Sequence, residues 1–155
     1  MTDNSVNLSI FFVSWFEIFA SYAMEIGEVH ILPTDKTPDI YLSPSGIINI
    51  KGRAIDENVR KAPEKVMEWI DSYLLAPAPA TMVTIALEYL NSFNTLIMTA
   101  ILRKLVHVKE QGRKLEIKWY IETDDDDLLD KVESISAAFT MPIELITVDD
   151  IKTVY

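Results

Sequence analysis

The sequence lacks cysteine and contains only four glycines and two histidines, and each shortage removes a class of function. Without cysteine the chain has no disulfide, no thiolate metal site and no thiol nucleophile. Four glycines leave little material for a loop that holds phosphate, and neither the P-loop pattern nor the dinucleotide-binding glycine pattern is present. We therefore expect no cofactor. Neither His30 nor His107 lies in a pattern typical of nucleophilic catalysis.

Basic residues are also in deficit. Lys and Arg number 14 against 24 Asp and Glu, which gives a formal net charge of −10. Such a chain repels phosphate backbones and anionic lipids, so we expect no nucleic acid and no membrane as a partner. The missing cysteines are consistent with a cytoplasmic location. The acidic run Asp124–Asp127 lacks the spacing of a calcium loop, so we interpret it as a helix start and predict no metal site.

The amino-terminal region contains no Lys or Arg before Lys36 and has an apolar run from Leu8 to Met24. It lacks the cationic start and the cleavage site of a secretory signal, and Glu17 near its centre disfavours a membrane span. We predict that residues 1–27 form a helical extension that packs on the domain or on a second copy, which would make the chain a homo-oligomer. A natural start at Met24 is an alternative.

Hydrophobic periodicity predicts one α/β domain over residues 28–155, in which a single mixed sheet is backed by helices. The expected order is β-β-α-β-α-β-α-β. Helices are expected around Val66–Leu74, from Ser92 to Gly112, and from the acidic run to Phe139, and strands at Asp39–Ser43, Gly46–Lys51, Thr81–Leu90, Lys114–Thr123 and Pro142–Val148. The strand at Thr81–Leu90 is almost wholly apolar, which predicts burial on both faces. Trp69 and Trp119 are expected in the core.

Ser92 lies where the apolar strand meets the second helix, in the sequence LEYLNSFNTLI. A serine at this position is an ordinary helix N-cap, which stabilises a helix by about 1 kcal/mol. The same hydroxyl could instead accept a phosphate, because free N–H groups and the positive end of the dipole favour an anion there. The residues alone leave both interpretations open.

Several short motifs follow one another in a recognisable order. They are Thr37-Pro38-x-Ile40, Gly52-Arg53 with Glu57-Asn58, Val66-x-x-Trp69-Ile70, LEYLNS at 87–92, and Trp119-Tyr120 ahead of the acidic run. Over roughly residues 28–148 the chain resembles the SiaC family of bacterial biofilm-regulating phosphoproteins. The most specific parts are the strand–Asn–Ser–helix junction and the Trp-Tyr pair before the acids.

The resemblance implies a non-enzymatic switch protein whose fold is like that of anti-sigma-factor antagonists (STAS domains). A dedicated Ser/Thr kinase would phosphorylate the hydroxyl at the strand–helix junction, and a PP2C-type phosphatase would remove the phosphate. The unmodified form would bind a diguanylate cyclase and stimulate cyclic-di-GMP synthesis.

Matched position by position, the family's acceptor threonine falls on Ser92. We expect the neighbours Asn91, Phe93, Asn94 and Thr95 to contact the partner. Phe93 and Asn94 depart from the family, which usually has small hydroxylated residues at these two positions.

Two other functions compete with this interpretation. A small-ligand sensor of the same fold would need a sizeable apolar pocket. A small hydrolase would need a convergent acid, base and nucleophile, which the sequence does not display.

Overall fold

The computed structural model describes residues 26–58, 60–139 and 143–155. Its strands are β1 (Val29–Ile31), β2 (Asp39–Ser43), β3 (Ile47–Ala54), β4 (Ala80–Leu90), β5 (Lys114–Glu122) and β6 (Glu144–Val148). Its helices are α1 (Lys61–Tyr73), α2 (Ser92–Glu110), α3 (Asp126–Ala137) and a 3-10 helix, Ile151–Val154. The apolar run at 8–24 lies outside the described residues, so the helical extension and the homo-oligomer stay predictions.

The strands form one sheet in the order β1-β2-β3-β4-β5-β6. The first three are paired antiparallel, and β3 to β6 are paired parallel. Each parallel connection passes through one helix, and such crossovers are right-handed. From β3 to β6 each strand is added on the same side of the one before it. Right-handed crossovers in one direction place all three helices on the same face of the sheet. The single mixed sheet backed by helices is confirmed, whereas β1 was missed because three residues are too short to show a period.

The hydrophobic core lies between this helical layer and the sheet. Trp119 on β5 is fully buried and Trp69 on α1 nearly so, as predicted. The indole nitrogen of Trp69 also donates to the carbonyl of Gly27 at 2.9 Å, which ties the chain ahead of β1 to α1. Further buried members include Ile48, Ile50, Val83, Ile85, Leu87, Ile117 and Ile121 from the strands and Val66, Ile70, Leu102, Leu105 and Val132 from the helices.

The opposite face of the sheet has no α-helix among the described residues. Ile47 and Met82, which are paired across β3 and β4, are therefore 44% and 47% exposed. The prediction that the strand at Thr81–Leu90 is buried on both faces is wrong for this part of β4. An apolar run alone does not tell on which side of a sheet its helices pack.

The carboxyl half of this open face is covered by the 3-10 helix and the residues around it. Ile151 is buried there, and Lys51 donates to the carbonyl of Val154 at 2.7 Å. The hydroxyl of Tyr155 donates to Glu88 at 3.2 Å. Burial and the neighbouring Glu88 carboxylate raise the pKa of Tyr155, so its hydroxyl stays a neutral donor at physiological pH.

The turn between β2 and β3 forms as predicted. The amide of Gly46 donates to the carbonyl of Ser43 at 2.9 Å, and Gly46 has a φ of 95°. A Cβ atom at this position would lie 2.1 Å from the carbonyl oxygen of Ala80, so only glycine fits.

Within residues 26–58, 60–139 and 143–155, no helix is both long enough and apolar enough to span a membrane.

Candidate functional site

The carboxyl ends of the parallel strands β3 to β6 lie at one edge of the sheet, which we call the carboxyl edge. Functional residues of α/β sheets gather at such an edge, because the strand-to-helix loops meet there. In this chain the loops are strongly acidic, with Asp56, Glu57, Asp124, Asp125, Asp126, Asp127, Asp149 and Asp150. Ser92 lies at this edge, directly after β4.

Asn91, and not Ser92, is the N-cap of α2. Its backbone is extended, with φ −78° and ψ 170°, and its side-chain oxygen accepts from the amide of Asn94 at 2.8 Å. Its side-chain nitrogen donates to the carbonyl of Ile55 at 2.9 Å. A carboxamide has its acceptor and its donor on separate atoms, so Asn91 bonds to both partners at once. The prediction that Ser92 caps the helix is therefore wrong by one residue.

Asn94 strengthens the same connection from the first turn of the helix. Its side-chain nitrogen lies 3.0 Å from the carbonyl oxygen of Ala54, 3.2 Å from that of Asp56 and 2.8 Å from the side-chain oxygen of Asn91. Two hydrogens are shared among three acceptors here. We call Asn91 and Asn94, with the three carbonyls of residues 54–56, the junction lock. It fixes the start of α2 against the loop that follows β3.

Ser92 is the first residue of α2 and is exposed. Its hydroxyl takes part in no hydrogen bond among the described residues. The amides of Ser92 and Phe93 lie in the first turn, where the helix supplies no carbonyl partner. The nearby hydroxyl of Thr95 is already used, since it donates to the carbonyl of Asn91 at 2.8 Å. Of these two hydroxyls, Ser92 therefore presents the accessible one.

Exposed apolar side chains lie close to Ser92 in the sequence. Tyr89 is 50% exposed, Phe93 39% and Leu96 70%. We call these three residues the apolar collar. The partner contacts predicted from the sequence include Phe93 but not Tyr89 or Leu96. Leu96 follows Phe93 by three residues on α2, but this spacing also describes an ordinary buried helix face. Tyr89 belongs to β4, so helical spacing could not relate it to Phe93.

The other predicted contact residues have mainly internal roles. Asn91, Asn94 and Thr95 are partly buried, and their side chains bond to the backbone of the junction. Their described contacts fix the geometry around Ser92, while Ser92 and Phe93 point to the surface.

One cation reaches this edge from α3. The ammonium of Lys131 donates to the carbonyl of Leu90 at 2.8 Å and lies 5.7 Å from the ring centroid of Tyr89. Sequence reasoning did not single out Lys131, because it is 39 positions from Ser92 and only the fold brings the two together.

The acidic run opens α3, as predicted. Asp125 is the N-cap and its carboxylate accepts from the amide of Leu128 at 3.0 Å. Asp126 and Asp127 follow in the first turn, where negative charge suits the helix dipole. No group of three or more metal-binding side chains occurs in the part of the chain that the structure describes.

The histidines lie far from Ser92. His107 is exposed near the other end of α2, about 22 Å away along the helix axis, and its Nδ1 atom lies 2.5 Å from Glu110. His30 bonds to Asp39 at 2.7 Å on β1 and β2. Neither imidazole can act as a base for the Ser92 hydroxyl, so the hydrolase alternative has no support at this site.

A cleft between α1 and α2 lies beside Asn94. Its cavity of about 40 Å³ is lined by Ile50, Val66, Met98 and other residues. That volume holds only about one or two water molecules. A wider groove of about 420 Å³ lies on the open face beside Tyr155, and it is lined by charged and polar groups such as Lys51, Arg53 and Glu88.

The family model for the SiaC family regulatory phosphoprotein matches residues 31–148. The chain belongs to the SiaC family. A comparison with curated protein sequences found no match.

Solved SiaC structures from Pseudomonas aeruginosa share the fold. One is described as SiaC in complex with the diguanylate cyclase SiaD, of which SiaC is the activator; the TM-score is 0.70 at 22% identity, over 77% of this chain and 99% of that one. Apo-SiaC gives a TM-score of 0.67 at 23% identity, over 77% of this chain and 98% of that one.

We predict that Asn91→Ala lowers the free energy of unfolding by about 2 kcal/mol, measured by urea unfolding. The substitution removes the cap and leaves the carbonyl of Ile55 and the backbone amide of Asn94 without their partner. Ser92→Ala is the matched control and should change stability by less than about 0.5 kcal/mol, because its hydroxyl is exposed. Equal effects of the two substitutions would show that the lock does not hold the junction.

Proposed function

We propose that this chain is a non-catalytic, cytoplasmic switch protein whose state is set by phosphorylation of Ser92. A Ser/Thr kinase adds the phosphate and a PP2C-type phosphatase removes it. The unmodified form binds and regulates a target protein such as a diguanylate cyclase. The proposal rests on membership of a family of regulatory phosphoproteins together with one observation, the exposed and unbonded hydroxyl of Ser92 at the locked junction.

The geometry favours Ser92 as the acceptor because its phosphate needs no rearrangement of the helix. The hydroxyl projects from the first turn, next to amides that lack helical partners. A phosphate carries about −1.5 to −2 charges and three acceptor oxygens, which the positive end of the helix dipole favours. The junction lock uses only Asn91 and Asn94, so the modification leaves it intact.

The kinase and the phosphatase catalyse the modification, and this chain is their substrate. The kinase forms the bond between Ser92 Oγ and the γ-phosphorus of ATP, breaks the bond from that phosphorus to the β-phosphate oxygen, and accepts the hydroxyl proton. The phosphatase returns the hydroxyl by hydrolysis. Among the described residues, no histidine near Ser92 could take the proton, which fits a substrate better than an enzyme.

Target binding is assigned to the apolar collar around Ser92. Exposed Tyr89, Phe93 and Leu96 form the kind of surface that a protein partner buries. A phosphate in the middle of this surface must lose its hydration when the partner docks. A diguanylate cyclase is the proposed target because SiaC was crystallised with the cyclase that it activates.

The small-ligand sensor is the weaker alternative. Pockets for small ligands have volumes of roughly 300–1,000 Å³ and mostly apolar walls. The apolar cavity beside Asn94 is far smaller, at about 40 Å³. The groove beside Tyr155 has the volume, but two of its polar side chains are already engaged: Lys51 donates to the carbonyl of Val154, and Glu88 accepts from the hydroxyl of Tyr155.

We predict that incubation with the cognate kinase and ATP adds one phosphate to the intact chain, detected by mass spectrometry. The addition should be lost in Ser92→Ala and kept in Ser92→Thr, which preserves a hydroxyl at the family's acceptor position. Thr95→Ala is the matched control and should still be modified, because the hydroxyl of Thr95 is engaged with Asn91. Phosphate found only on Thr95 or in the Ser43–Ser45 turn would refute the assignment.

We further predict that phosphorylation weakens target binding by about a hundredfold, which corresponds to about 3 kcal/mol of desolvation and repulsion. Calorimetry with the purified cyclase measures the effect. Ser92→Ala should bind like the unmodified chain, and Ser92→Asp should lose part of the affinity, since a carboxylate carries less charge than a phosphate. The same affinity for phosphorylated and unmodified chains would contradict the switch.

A further inference from the structure

Lys131 occupies an unusual position at an edge where most charged groups are acids. It extends from α3 to the last residue of β4, where it donates to the carbonyl of Leu90 at 2.8 Å. Among the described residues it forms no ion pair with a carboxylate, although Asp127 and Asp130 lie on the same helix. The cation is therefore held next to the junction by a neutral acceptor.

The contacts of Lys131 leave capacity for a stronger partner. An ammonium has three hydrogens, and one of them is used on Leu90. Its remaining contact is the face of Tyr89, 5.7 Å from the ring centroid, which is a weak interaction at a half-exposed residue. A phosphate dianion is a better acceptor than either a carbonyl or a ring, because hydrogen bonds between ions are stronger.

Ser92 is within reach of this ammonium. Leu90 and Ser92 are two residues apart, so their Cα atoms are at most about 7.6 Å from each other. The four-carbon stem of lysine is flexible and can move its charge over such a distance without displacing the backbone. The ammonium can thus leave Leu90 for an oxygen on Ser92 while α3 stays in place.

We propose that the ammonium of Lys131 pairs with a phosphate on Ser92, and that this movement changes the environment of Tyr89 in the apolar collar. In the unmodified chain the ammonium bonds to Leu90 and lies near Tyr89. When Ser92 is phosphorylated, the ammonium pairs with the phosphate and leaves the ring of Tyr89. The partner then encounters a negative charge on Ser92 and a Tyr89 ring that no longer contacts the ammonium. This inference rests on the proposed function for the phosphate itself and adds a positioning residue that the switch requires.

The test uses full-length protein with phosphoserine incorporated at position 92 during translation, so it requires neither the kinase nor the target. The ³¹P NMR signal is followed against pH, because the second pKa of phosphoserine is ordinarily about 6. A nearby cation lowers this pKa, so Lys131→Met should raise it by about one unit relative to the wild-type chain. Lys131→Arg should restore the low value.

Two further variants serve as controls that remove a positive charge elsewhere. Lys109→Met removes the same charge from the far end of α2, about 25 Å from Ser92, and should leave the titration unchanged. Arg53→Met removes the cation paired with Tyr89 across β3 and β4. A titration that is unmoved in Lys131→Met, or that moves only in Arg53→Met, overturns the proposal.

A second signal reports on Tyr89 directly. With ¹³C-labelled tyrosine, phosphoserine at position 92 should shift the ring signals of Tyr89 in the wild-type chain and much less in Lys131→Met. Lys131→Gln provides a second variant if the methionine protein folds poorly. Equal shifts with and without the lysine overturn the transmission step. Failure of kinase modification with a normal lysine effect would instead count against the proposed function alone.

Discussion

The hydrogen bonds of Asn91 and Asn94 to the backbone after β3 are the interaction on which the site depends. They join the ends of two neighbouring parallel strands and set where α2 begins. Because the cap is Asn91, the following residue is released from any role in holding the helix. The hydroxyl of Ser92 can therefore be exposed and free of hydrogen bonds, while the junction lock fixes the start of α2. A modification at this position can then act without unfolding its surroundings.

The sheet topology decides what surrounds that hydroxyl. Parallel β3 to β6 bring four loops to one edge, and those loops carry most of their charge as carboxylates. Against this acidic background, Tyr89, Phe93 and Leu96 form a local apolar surface, and Lys131 contributes a positive charge to it. Under the proposed function, a phosphate on Ser92 would add negative charge beside this apolar surface, and both Lys131 on α3 and the start of α2 would set its electrostatic effect.

Much of the fold could be predicted from the sequence, because periodicity and turn residues report on local structure. The Ser43–Gly46 turn, the three helices and the buried Trp119 follow from such signals. The exposure of Met82 could not, because it depends on all helices packing on one face. At the candidate site, motif matching predicted Ser92 as the acceptor, but the capping role of Asn91 and the approach of Lys131 depend on side-chain geometry across the fold.

The central claim is that modification of Ser92 alters the surface while the junction lock keeps the helix folded. Amide hydrogen exchange on the phosphorylated and the unmodified chain tests it most directly. The account predicts that protection of the amides from Thr95 to Leu105 in α2 stays within about twofold, since the phosphate leaves the lock and the helix bonds intact. A loss of protection across the first turns of α2 on phosphorylation would contradict it.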